Sequence, residues 1–324
     1  MSHATSAQTN QVEVSRTTLK MGSRFEIIAV THPDDSLMAL KAIETAYQEI
    51  DRIESLISSW KPTSQTSLIN SNAGKAPVKV AAELFDLIYR SIKVSELTGG
   101  AYDISFAGTG DLWRFEGQEQ RQFPDSVLVK DAIKRVSYQN IILNREHGTV
   151  YLKQEGMKIG FGSIGKGYAA NRAMQVMKDL GIKSGMVNAG GDLVTWGPSP
   201  KGKEWPVGIA DPNQYGKIFA WLSVKDLALV TSGDYQKFFT YNGTRYGHII
   251  DPKTGYPVTG IKSVSILCPD AELADALATG VYVLGAKRGM ELIDRLNQVE
   301  GLIITSENTV LQSKNLTLNY YTPE

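Results

Sequence analysis

Chemistry is first suggested by the segment Gly160-Phe161-Gly162-Ser163-Ile164-Gly165-Lys166-Gly167. Glycines let a backbone approach a phosphate closely, and a helix start offers free N–H groups and the positive end of a dipole. A helical pattern of Ala169, Ala170, Ala173, Met174, Met177 and Leu180 follows. The segment therefore reads either as an anion site or as a glycine-rich turn that packs tightly against a sheet. Two familiar phosphate loops nearly match it. Gly160-x-Gly162-x-x-Gly165 has the dinucleotide-fingerprint spacing, which calls for a ribose-reading acid about 20 residues on; Asp192 lies too far along and the segment sits mid-chain. Gly160-x-x-x-x-Gly165-Lys166 begins like a Walker A loop, but Gly167 stands where a magnesium-holding Ser or Thr hydroxyl belongs.

Asp275-Ala276-Leu277-Ala278-Thr279 puts a carboxylate and a hydroxyl four residues apart, on one face of a helix. Both are hard oxygen donors suited to magnesium beside phosphates, although an Asp near a helix start equally serves as a cap. His248, in Tyr246-Gly247-His248-Ile249-Ile250-Asp251-Pro252, is placed either to accept a proton from an attacking hydroxyl or to bond the Asp251-Pro252 turn. Ser232, in Thr231-Ser232-Gly233-Asp234-Tyr235, lacks the Gly-x-Ser-x-Gly setting of a hydrolase nucleophile. Gly99-Gly100-Ala101-Tyr102-Asp103 offers backbone to a planar ligand or simply stops a helix, and Trp60 is either a stacking platform or a rim aromatic.

These residues need elements to hold them. A strand is expected over 24–30, a long helix after Asp34, Asp35 and Ser36 with apolar positions from Leu40 to Leu56, and a second helix over 81–97. A hairpin at 141–153, a helix over 166–180, strands at 185–188, 207–210, 219–224, 228–231 and 263–268, a helix pair at 272–284 and 287–298, and a late strand at 301–305 complete the pattern. Helices and strands mix without a strict βαβ rhythm, which predicts a mixed α+β fold rather than a doubly wound sheet. Residues 1–19 are expected to be a flexible N-terminal tail ahead of a domain over 20–324, and residues 1–11 lack the apolar core of a signal peptide. Lys+Arg and Asp+Glu both number 34 in the 324 residues, so no basic excess points to nucleic acid. Cys268 is the only cysteine, which excludes an intramolecular disulfide framework and a Cys-x-x-Cys zinc site.

The order of the motifs is more specific than any one of them. Met21-Gly22-Ser23, Leu56-Ile57-Ser58-Ser59-Trp60, Ser67-Leu68-Ile69-Asn70 and Thr98-Gly99-Gly100-Ala101-Tyr102-Asp103 come first. Gly162-Ser163-Ile164-Gly165-Lys166-Gly167-Tyr168, Asn188-Ala189-Gly190-Gly191-Asp192, Thr231-Ser232-Gly233-Asp234-Tyr235, His248-Ile249-Ile250-Asp251-Pro252 and Ala274-Asp275-Ala276-Leu277-Ala278-Thr279 follow. This series resembles the ApbE family, the FAD:protein FMN transferases, over about residues 20–304.

The resemblance implies an α/β (mixed α+β) single-domain fold of the ApbE type. It also implies magnesium-dependent transfer of FMN from FAD to a Thr or Ser hydroxyl of an acceptor flavoprotein, such as a subunit of a membrane redox complex, with release of AMP. By the same resemblance Met21, Trp60, Ala101, Tyr102, Asp103, Lys166 and Ile249 would contact FAD; Asp275, Thr279 and the backbone oxygen of Ser163 would hold the metal; and His248 would be the base. It implies a periplasmic or inner-membrane lipoprotein location, with the cytoplasm as the alternative. Hydrolysis of FAD to AMP and FMN, or FAD binding without catalysis, are the alternative activities. The chain departs from the family pattern at Gly160 and Asn171, where aspartates are usual, and at Ser23, where threonine is.

Overall fold

The computed structural model describes residues 11–113, 115, 123–214, 216–234, 237–242 and 244–320. In chain order, β1 (Val12–Lys20) and β2 (Ser23–Thr31) form a hairpin, followed by α1 (Ser36–Ile57), α2 (Gln65–Ser71), β3 (Val78–Lys79) and α3 (Ala82–Leu97). A 3-10 segment (Ile104–Leu112) leads to α4 (Ser126–Ile133) and the hairpin β4 (Ile141–Asn144) and β5 (Thr149–Leu152). Then come α5 (Gly165–Asp179), β6 (Ser184–Ala189), β7 (Asp192–Trp196), β8 (Trp205–Ala210), β9 (Ile218–Val224) and β10 (Ala228–Gly233). The chain continues through β11 (Phe238–Tyr241), β12 (Thr244–Gly247), β13 (Ile261–Cys268), α6 (Ala271–Leu284), α7 (Ala286–Ile293), β14 (Glu300–Thr305), β15 (Val310–Gln312) and β16 (Asn319–Tyr320).

The main sheet has eight strands in the order β1-β2-β6-β7-β10-β13-β14-β15, and every pairing in it is antiparallel. That is why the sequence shows no βαβ rhythm: antiparallel neighbours need no crossover helix. Period-2 alternation divides the inner strands between two cores. Phe25, Ile27, Ala29, Val230 and Ile303 face the helices, whereas Val30, Leu193, Leu229, Leu302 and Ile304 face a three-stranded sheet ordered β16-β9-β8. The protein is thus helices on sheet on sheet. α1 buries Ala39, Ala42, Ile43, Ala46, Tyr47, Ile50, Ile53 and Ile57 at helical spacing, and α5 buries Ala169, Ala170 and Ala173. The small side chains let α1 and α5 lie close together. No helix among the described residues is long and apolar enough to cross a membrane.

One boundary is corrected. The expected flexible tail over 1–19 does not extend that far: β1 pairs with β2 along its whole length, from Val12 with Thr31 to Lys20 with Ser23. Being an edge strand with most side chains half-buried or exposed, β1 carries little hydrophobic alternation, which is why it reads as a tail. Residues 1–10 of the expected tail lie outside the described residues. The last helix is also shorter than expected: α7 ends at Ile293, and Gln298 has a positive φ of 60°.

Candidate active site

The glycine segment becomes a tight turn that starts α5. Gly165 N–H donates to the Phe161 carbonyl at 2.7 Å, Tyr168 N–H donates to the Ile164 carbonyl at 3.0 Å, and Lys166 is the second helical residue. Gly165 and Gly167 have steric reasons, whereas a Cβ on Gly162 would meet nothing within 4 Å. A Cβ on Gly165 would lie 2.9 Å from Ile57 Cδ1 and 3.5 Å from Met21 Cε. A Cβ on Gly167 would lie 2.1 Å from the Ala271 carbonyl oxygen and 2.9 Å from Asp275 Cβ. The Walker A comparison therefore fails for a positive reason: Gly167 lets α5 and α6 cross almost backbone to backbone. At that crossing Gly167 N–H donates to Asp275 Oδ2 at 3.0 Å, so the helix start binds a carboxylate of its neighbour.

The two helices are locked nearby. Asp270 caps α6 through Leu273 N–H at 3.0 Å. Asn171 donates to Asp270 Oδ1 at 2.9 Å and accepts from Ala271 N–H at 3.1 Å. An amide does both jobs, and this accounts for the departure at that position: a carboxylate would face Asp270 with no proton to share. Asn171→Asp is expected to cost about 1 kcal/mol of stability. The loss should shrink as pH falls through the carboxylate range, because protonation restores a donor; thermal denaturation at pH 4 and pH 7.5 checks it.

A cavity of about 550 Å³ opens beside this crossing, and Ser163, Lys166, His248, Ile249, Asp275 and Thr279 all line it. Asp275 and Thr279 lie one turn apart on α6, and Thr279 Oγ1 is 3.3 Å from Ser232 Oγ. Asp275 is 4% exposed. Burial, then the neighbouring Asp192 carboxylate, push its pKa up to about 7, opposed by Lys166 and the Gly167 N–H. Asp192 is buried too, and burial raises its pKa against the pull of Lys166, with which it forms an ion pair. Two buried carboxylates thus face one ammonium, an arrangement that favours one more cation.

His248 follows β12, and its backbone N–H donates to the Lys237 carbonyl at 3.1 Å. It lines the open cavity, whose walls thin out solvent; that desolvation, opposed by a hydrogen bond with the Lys237 backbone and aided by the cations Lys237 and Lys166, holds its pKa below the ordinary value. Asp251 closes the turn after it, accepting from Lys253 N–H through Oδ1 and from Gly255 N–H through its carbonyl, both at 2.8 Å.

The other expected ligand contacts separate. Ala101 and Asp103 line the cavity. Tyr102 between them turns the opposite way: its side chain is 1% exposed in the core and packs on α6, where a Cβ on Gly280 would come within 3.2 Å of Tyr102 Cβ. Asp103 accepts from Ser105 N–H, Ser105 Oγ and Tyr138 N–H at 2.6–2.8 Å, so it shapes the loop that it borders. Met21 lies behind the wall, packed under the start of α5, with a positive φ of 49° in the β1–β2 turn. Trp60 is 87% exposed on the loop after α1 and does not line the cavity. Gly160 donates its N–H to the Ile104 carbonyl at 2.9 Å, and a Cβ there would meet Ala107 Cβ at 3.2 Å.

Sequence reasoning left out three contributors. Asp192 was considered only as a ribose-reading acid, yet it is the partner of Lys166; its signal is a charged residue after Gly190-Gly191 opening a wholly buried strand. Ser232 joins Thr279. Asn70 binds both backbone groups of Ile159, at 2.8 and 3.0 Å, and so fixes the chain entering the glycine turn. In the Thr231–Asp234 motif, Tyr235 lies outside the described residues.

The chain as a whole is similar to known proteins. A family model described as the ApbE family matches residues 21–303. The FAD:protein FMN transferase of Treponema pallidum is 33% identical over 290 residues, covering 85% of this chain and 80% of that protein. The FAD:protein FMN transferase of Haemophilus influenzae is 28% identical over 276 residues, covering 82% and 80%. Among solved structures, the ApbE protein of Thermotoga maritima matches with a TM-score of 0.84 and 30% identity over 94% of this chain and 97% of that one. The flavin transferase ApbE of Vibrio cholerae matches with a TM-score of 0.81 and 25% identity over the same shares. With the family model spanning most of its length and the mixed fold in common, the chain belongs to the ApbE family.

Proposed function

We propose that this protein transfers the FMN half of FAD to a Thr or Ser hydroxyl of an acceptor protein, releasing AMP, with magnesium at Asp275, Thr279 and the backbone oxygen of Ser163. The observation that carries the reading is the convergence of Ser163, Lys166, His248, Asp275 and Thr279 on one cavity, from segments far apart in the chain. The donor set fits the metal. Among the described residues no three His, Cys, Asp or Glu side chains form a metal cluster. Magnesium, however, is satisfied by one or two carboxylates together with substrate phosphates and water. Burial and the Asp192 carboxylate raise the pKa of Asp275, and a cation held there would stabilise its charged form.

Magnesium, when bound, neutralises charge on the pyrophosphate. Lys166, held in place by Asp192, adds a fixed positive charge at a helix start. The acceptor hydroxyl oxygen forms a bond to the phosphorus on the FMN side, the P–O bond to the AMP phosphate breaks, and AMP carries away that electron pair. The hydroxyl proton passes to His248. With its pKa depressed, His248 is neutral and able to accept a proton across the neutral range.

The test is to mix the protein with FAD, magnesium and an acceptor carrying a Thr or Ser flavinylation motif, then follow covalent flavin fluorescence and AMP. Covalent labelling is expected only with all components present. AMP formed without acceptor would indicate a hydrolase, and intact FAD throughout would indicate a carrier. The rate should fall on acidification below the ordinary histidine value of about 6.5, and His248→Asn should lower it about 10²-fold or more and remove that limb.

A further inference from the structure

β11 and β12 form a two-stranded sheet of their own, outside the eight-stranded one, so the main sheet does not fix where His248 stands. An aromatic cluster does. Trp113 stacks on Phe239 with centroids 6.1 Å apart and planes 12° apart, and Phe239 stacks on Tyr246 at 5.3 Å and 17°. Tyr246 is two residues before His248. On the other side, the Trp113 indole N–H donates to the Gly255 carbonyl at 2.8 Å, and its ring meets Tyr256 edge-on at 5.6 Å. One side chain therefore grips the chain both before and after His248. Trp113 is itself buried, with Val129 of α4 in the same cluster. The turn rests on α4 as well: a Cβ on Gly255 would come within 2.7 Å of both Ile133 and Val129.

We infer that Trp113 is a positioning residue for His248, setting through Phe239, Tyr246 and Gly255 how the imidazole stands in the cavity. This rests on His248 being the proton acceptor. The groups around the imidazole are the Phe115 ring, edge-on at 6.4 Å, the Lys237 backbone, which hydrogen-bonds it, and the cations Lys237 and Lys166. His248 is already exposed to the cavity, and loosening the stack lets its ring swing out of the cavity toward bulk solvent.

The experiment compares full-length Trp113→Leu and Trp113→Phe with wild type in four measurements: melting temperature, FAD affinity, the transfer rate at saturating FAD and acceptor, and the His248 titration by NMR. With four histidines in the chain, His248 is identified by the signal missing from His248→Asn. Trp113→Leu is expected to bind FAD within about twofold of wild type and to lose about 10²-fold in kcat, the scale of an ångström-sized misplacement. Its His248 titration should move up toward the ordinary value, and Trp113→Phe, which keeps the stack but loses the bond to Gly255, should fall between Trp113→Leu and wild type in both rate and titration. If Trp113→Leu does not fold, Tyr246→Leu, at the half-buried end of the stack, carries the same measurements. An unmoved His248 titration in a folded stack variant overturns the inference, as does a kcat equal to wild type. If His248→Asn transfers normally, the base assignment fails, while the NMR titration still reports on Trp113.

Discussion

Asp275→Asn is expected to stop FMN transfer while leaving the metal-free protein at least as stable as wild type. Asp275 is 4% exposed and shares the cavity with the Asp192 carboxylate, so its charge is held at a cost that only a cation repays. The amide oxygen of asparagine can still accept the Gly167 N–H, so the crossing of α5 and α6 keeps its hydrogen bond. What disappears is the one carboxylate in the proposed magnesium set. The transfer rate should fall by about 10³-fold, or about 4 kcal/mol of transition-state stabilisation. Magnesium should raise the melting temperature of the wild type and leave that of the variant unmoved. Covalent labelling of the acceptor and thermal denaturation with and without magnesium measure both halves. An Asp275→Asn protein that labels its acceptor at the wild-type rate would remove Asp275 from the metal site.

Local pattern made some of this legible. The glycine turn before a periodic helix placed Lys166 at a helix start, and four-residue spacing placed Asp275 and Thr279 on one face of α6. Other features depend on pairings that no local pattern carries. β1 is an edge strand whose pairing with β2, rather than its own hydrophobicity, gives it structure. Ala101, Tyr102 and Asp103 read as one contact segment, but in the bend they form Ala101 and Asp103 line the cavity while Tyr102, the largest, is buried in the core. Asp192 gains its meaning only when β7 brings it to Lys166, 26 positions earlier. Gly167 and Asn171 read as departures from better-known patterns, and both prove to be responses to α6, about a hundred residues away.

Gly167→Ser restores the residue that a Walker A loop requires at that position, and it is expected to inactivate the protein rather than confer nucleotide hydrolysis. The new Cβ would lie 2.1 Å from the Ala271 carbonyl oxygen, 2.7 Å from its carbon and 2.9 Å from Asp275 Cβ. Two of those atoms are backbone, so no rotamer change relieves the contact and α5 must move away from α6 by an ångström or so. Overpacking of this kind costs about 3 kcal/mol, and the buried hydrogen bond from Gly167 to Asp275 stretches with it. Lys166 and Asp275 would separate, because they sit on either side of this crossing. A melting temperature several degrees lower is expected, with FMN transfer reduced about 10²-fold or more by the lost alignment. Gly167→Ala carries the same Cβ without the hydroxyl and should behave alike, which separates crowding from any chemistry of the serine. Wild-type transfer and stability in both variants would mean that the helices do not cross at Gly167.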